Sequence, residues 1–150
     1  MGKKVVGCLL VAAILSACVS TKSTLKNVDE NAPELQLNAV GNFVITDVST
    51  NPKYGYDKDY PINVFFQNTK NDTINQFRFL NALAGPQGEK LRFRRIDDCC
   101  PFPSKRNDIG VGLLNRYEIT WEGQKEPIVL YLNIFAKGRI AVPVGLTLKK

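Results

Sequence analysis

A chain of 150 residues with 20 basic and 14 acidic side chains is long enough for one modest domain and carries a net charge of +6. Two of those charges, Lys3 and Lys4, stand at the extreme N-terminus, and the remainder is too mild for a nucleic-acid footprint, so nucleic acid is not an expected partner. There is no histidine, which removes the usual general base, the Ser-His and Cys-His nucleophile pairs and the commonest metal ligand.

Residues 1–17 divide into three parts: the basic pair Lys3-Lys4, an apolar run from Val5 to Leu15, and a small-residue exit at Ser16-Ala17. This is the layout of an export signal peptide. The apolar run is too short for a transmembrane helix, which needs roughly 20 residues. Leu15-Ser16-Ala17-Cys18 resembles the bacterial lipobox. The resemblance implies cleavage before Cys18 and lipidation of its thiol, so the expected link to a membrane is the lipid on Cys18. Val19 and Ser20 follow the cysteine, and a lipoprotein without Asp there is expected in the outer membrane of the cell envelope.

Residues 18–34 are polar beyond the lipidated Cys18, hold Pro33 and show no sustained period, which reads as a flexible tether. The globular domain is expected over residues 35–150. Strand-like alternation begins with Leu35, Leu37 and Ala39, and Phe43 to Val48 reads as a second strand. After a turn-rich stretch with Asn51-Pro52 and Gly55, the residues Ile62, Val64 and Phe66 alternate with Asn63, Phe65 and Gln67. One helix is expected at about 74–84. Thr73 and Gln76 have the spacing of a capping box, Gly85-Pro86 supplies the stop, and Ile74, Phe77, Leu80, Leu83 and Ala84 lie along one face.

Beyond the turn Gly85–Gly88, Lys90 to Ile96 reads as a strand. Tyr117, Ile119 and Trp121 then face away from Arg116, Glu118 and Thr120. The run Ile128–Phe135 is apolar on both faces and is expected at the centre of a sheet. Ile140, Val142, Val144, Leu146 and Leu148 alternate strictly, with Pro143 on the other phase, which suggests an edge strand. The expected class is α+β: a largely antiparallel sheet, open or closing toward a sandwich, with one packed helix.

Three stretches could carry chemistry. In Asp97-Asp98-Cys99-Cys100-Pro101-Phe102-Pro103, two acids and two thiols are adjacent. Tetrahedral zinc wants four ligands, and with Cys18 lipidated no further thiol is at hand, so no metal is expected. The cysteines are adjacent, so Cys-x-x-Cys redox spacing is absent, and a vicinal Cys99–Cys100 disulfide stiffening a proline-flanked loop is the expected state in an oxidising envelope. Arg92, Arg94 and Arg95 form a candidate anion-binding group, with a solvated face paired to Asp97 and Asp98 as the plain alternative. Tyr54, Tyr56 and Tyr60 could stack on a sugar or peptide, or pack at the core edge.

Arg78–Leu83, Gly85–Glu89, Cys99–Phe102, Leu130–Asn133 and Val142–Gly145 together resemble a group of small bacterial lipoproteins of unknown function, over roughly residues 75–146. Some of that group carry a label as an aldolase of the Kdo-phosphate synthase type. Such enzymes are (β/α)₈ barrels of about 250 residues. A domain over 35–150 is less than half of that and reads largely antiparallel, so the activity is not expected here. The expected function is a non-catalytic binding or structural module of the envelope, with a protein or glycan partner and no cofactor. The competing class is a cysteine-dependent redox or metal-handling factor using Cys99 and Cys100.

Overall fold

The computed structural model describes residues 23–65 and 73–150. The export signal, Cys18 and residues 19–22 lie outside the described residues, as do Phe66, Gln67 and Asn71-Asp72.

The chain orders its elements as β1 (Ile62–Asn63), α1 (Ile74–Leu80), β2 (Leu83–Ala84), β3 (Arg92–Pro103), β4 (Val111–Thr120), β5 (Ile128–Asn133) and β6 (Thr147–Leu148). Four strands form one sheet in the order β1-β5-β4-β3, and β2 pairs with β6 in a small second ladder. All pairs are antiparallel except β1 with β5, which run parallel with Ile62 opposite Leu132. The class is therefore α+β with a mixed, mostly antiparallel sheet. As its two apolar faces require, β5 lies inside the sheet.

The core lies on one face of this sheet. Leu130 and Leu132 of β5 meet Tyr117 and Ile119 of β4, with Ile62, Phe79 and Leu80 completing the cluster, and each is at most 2% exposed. Burying one such side chain contributes about 1.5–3 kcal/mol. Helix α1 covers this face, and its packing differs from the expected phase. The buried positions are Gln76, Phe79 and Leu80, while Phe77 is 43% exposed. Thr73 makes no side-chain cap, and the glutamine half of a capping box is absent as well, because the Gln76 carboxamide is turned inward to partners on β4. The helix stops at Leu80, four residues short of expectation. Leu83 and Ala84 leave it to pair with Leu148 and Thr147.

Two expected strands are absent as ladders. Residues 35–48 make only isolated bridges, Leu37 to Phe43 and Val48 to Val142. The Asn38 carboxamide oxygen accepts from the Val40 and Asn42 amides, closing a tight turn that leaves no length for a ladder. The alternation at 140–148 does not describe one strand face either. Val142 and Leu146 are buried but Val144 and Leu148 are exposed, because Gly145 takes φ +89° and turns the chain. Only Thr147–Leu148 of that run form a ladder, as β6, while Val142 makes the isolated bridge to Val48.

The segment read as tether is docked from Lys26 onward. The Lys26 amide donates to Asp59 O at 2.8 Å and the Asp29 amide to Lys137 O at 2.9 Å, while Ala32 is buried. Asn27 is part of a buried amide ladder: Asn63 Nδ2 donates to Asn27 Oδ1 at 3.1 Å, and Asn133 Nδ2 donates to Asn63 Oδ1 at 2.9 Å. These bonds satisfy polar groups that would otherwise be costly in the interior. The folded unit thus includes residues upstream of Leu35.

Candidate functional site

Cys99 and Cys100 are joined as a vicinal disulfide. They lie within β3, an edge strand, and not in a loop. Prolines at 101 and 103 are compatible with that strand because its outer edge needs no amide donors. Register explains how the motif fits. Cys99 pairs with Leu114 and Phe102 with Gly112, so β3 has one extra residue between them, and a second bulge lies between Arg95 and Asp97. A bulge bends the strand and re-aims its side chains. At the first of these, Cys100 takes φ +61°, a conformation that L residues other than Asn and Asp rarely hold. Phe102 is thereby turned into the protein, 4% exposed, with its ring edge-on to Phe135 at 6.2 Å. Gly112 makes room for it: a Cβ there would stand 2.6 Å from Phe102 Cζ.

The charged neighbours are committed to one another. Arg116 grips Asp97 with a two-pronged guanidinium fork, which holds the Asp97 carboxyl below its usual range and raises the Arg116 pKa. Arg95 donates to Asp98 Oδ1 from Nε at 3.0 Å, and Arg94 pairs with Glu118 across the strands at 2.7 Å. The arginine group therefore does not converge on one anion site: Arg94 and Arg95 each have a carboxylate, and Arg92 is exposed near the start of the strand. The expected pairing with Asp97 and Asp98 holds only for Arg95 with Asp98.

A polar chain that the sequence reading missed runs inward from Asp98. Asn115 Nδ2 donates to Asp98 Oδ1 at 2.9 Å, Gln76 Nε2 donates to Asn115 Oδ1, and the Tyr117 hydroxyl donates to Gln76 Oε1. Gln76, Asn115 and Tyr117 are all buried. A glutamine on the third position of a helix carries no sequence signal that separates capping from burial.

The tyrosine group serves packing. The Tyr54 hydroxyl accepts from the Ala141 amide at 3.1 Å, and the Tyr56 hydroxyl donates to Val144 O at 2.6 Å. Burial pushes both phenols above their ordinary pKa. Tyr60 instead lies under the Lys53 ammonium, 5.7 Å from ring centre to nitrogen.

A cleft of about 250 Å³ opens between the docked segment, α1 and the stretch at Lys137–Gly138. Leu35, Phe43 and Ile140 supply apolar wall; Asn75, Arg78 and Lys137 supply polar groups. Only helix position and charge were legible here, since the cleft is assembled from segments far apart in the chain. Among the described residues no group of three or more His, Cys, Asp or Glu side chains is placed to hold a metal ion, and no helix is long and apolar enough to cross a membrane. No family model, curated protein or solved structure matches the chain.

Proposed function

We propose that the chain is a lipid-anchored module of the bacterial envelope, held in the outer membrane by acyl chains on Cys18, that binds a protein or glycan partner without catalysing a reaction. The lipobox run Leu15–Cys18 and its basic, apolar and small-residue lead-in support the anchor, as does the block resemblance to small bacterial lipoproteins. The observation that carries the placement is the closed Cys99–Cys100 bond, which fits an oxidising compartment far better than the cytosol. The binding role is supported by the cleft beside α1, whose wall joins Leu35, Phe43 and Ile140 to Asn75, Arg78 and Lys137. Fractionation of cells expressing Cys18→Ala tests the anchor. The variant is expected in the soluble or unprocessed fraction, and co-sedimentation with membranes like the parent would contradict it.

A second reading, a cysteine-dependent redox or metal-handling factor, draws on the half-buried edge-strand position of Cys99 and Cys100. Replacement of both by serine separates the two. Partner binding retained by a folded variant favours the binding module; an activity abolished in that folded variant favours the redox factor.

A further inference from the structure

We propose that the cleft beside α1 is a binding site for a small monoanionic carboxylate bearing a short aliphatic body. The inference rests on the binding reading above but not on the anchor at Cys18, so the two fail separately.

The cation at its centre is Arg78. Its Nη1 donates to Asn75 Oδ1 at 3.0 Å, and Asn75 Nδ2 donates in turn to the carbonyls of Val64 at 3.1 Å and Phe65 at 2.7 Å. The guanidinium is therefore positioned by a carboxamide that is itself fixed to backbone. Among the described residues Arg78 has no acidic partner, and its Nε and Nη2 donors are uncommitted. Those donors form the planar fork that suits a carboxylate.

Lys137 is the second cation on this wall. Among the described residues its ion pair is with Glu34 at 3.9 Å, on a side chain 82% exposed, and its ammonium lies 5.7 Å from the centre of the Phe65 ring. Such a pair is loosely held, so the ammonium can turn to a ligand. Among the described residues that line the cleft, Arg78, Lys137 and Glu34 leave one net positive charge. That matches a carboxylate and falls short of a phosphate dianion. Leu35, Phe43 and Ile140 would cover an aliphatic group that water otherwise surrounds. Drug-sized ligands fill roughly 300–1,000 Å³. At about 250 Å³ this cleft suits a smaller molecule or the last residue of a peptide.

Calorimetric titration of the full chain in an uncharged detergent tests this, with N-acetylleucine as the probe and N-acetylleucinamide and inorganic phosphate as controls. Saturable binding of the acid is expected, weakened about tenfold or more by amidation and by Arg78→Gln, and less by Lys137→Gln. Thermal melting of each variant without ligand shows whether it remains folded. A leucine-terminated peptide distinguishes the two sources of the carboxylate: binding like N-acetylleucine points to a chain end, weaker binding to a free acid. Equal affinity for acid and amide, tighter binding of phosphate, or no saturable binding to the folded parent would overturn the proposal.

Discussion

Gln76 shows how one side chain can decide the orientation of an element. Its carboxamide accepts from the Tyr117 hydroxyl and donates to Asn115, and none of the three groups has ready access to water. A buried donor or acceptor that loses its partner costs about 1–3 kcal/mol, more than the typical ~1 kcal/mol of an N-cap. The interior therefore claims the side chain, and the glutamine half of the capping box is forgone. Gln76→Leu keeps a similar volume but removes the bonds to Asn115 Oδ1 and the Tyr117 hydroxyl, so denaturant titration should show a loss of about 1–3 kcal/mol. An unchanged midpoint would mean that those groups find other partners.

Glu30 and Arg106 give the N-terminal segment a pH-sensitive fastening. Arg106 donates to both Glu30 oxygens and its guanidinium lies 4.4 Å from the centre of the Phe65 ring. The hydrogen bond from Arg106 lowers the Glu30 pKa against a smaller opposing effect of burial. A carboxylate whose folded pKa is depressed stabilises the fold above its unfolded value, near 4.5, and loses that contribution as pH falls through the folded value. Because Glu30 is substantially exposed, solvent screening keeps the effect modest. Protection of the Asp29 and Ala32 amides, corrected for the intrinsic pH dependence of exchange, should therefore fall below about pH 4.5, and Arg106→Gln should remove most of that fall. Protection factors that stay constant through acid would contradict the fastening.

At the scale of elements, β3 depends more on Phe102 than on the bond that precedes it. A disulfide between adjacent residues closes almost no chain, so its entropic contribution is only about 1 kcal/mol. Truncating a buried phenylalanine costs about 3–5 kcal/mol. Phe102→Ala should therefore lower stability well beyond Cys99→Ser with Cys100→Ser, as read by urea unfolding. The reverse order would mean that the ring organises the strand and Phe102 only follows it.

The same elements show what the sequence made legible. Both-face hydrophobicity located β5 and its interior position, and alternation located β4, because ladder residues obey a period of two. The alternation of 140–148 was equally regular but misleading: Gly145 turns the chain there, and Tyr54 and Tyr56 hold the preceding backbone through hydroxyls from about 90 residues upstream. The position of α1 was legible while its phase was not, since buried polar pairing leaves no periodic trace. Of the site residues, the Cys99–Cys100 bond was readable from adjacency and compartment. The arginine pairings were not, because they depend on a register set by two bulges. The cleft and the docking of the N-terminal segment depend on long-range contacts and had no local signature.

For the whole molecule, the proposed lipid anchor on Cys18 precedes a β-rich domain in which the described cysteines, Cys99 and Cys100, are closed on each other. Residues 26–32 already belong to that domain, and Lys26, whose amide donates to Asp59 O, is close in sequence to Cys18. With the proposed anchor on Cys18, a domain so placed would suit a partner at or near the membrane surface. Intact-mass measurement of the protein extracted from membranes without reductant bears on both ends at once. The expected product begins at Cys18, carries diacylglyceryl and acyl mass on that residue, and gains two hydrogens on reduction as Cys99–Cys100 opens. A chain that still begins at Met1 without lipid, or one whose mass does not change on reduction, would contradict it.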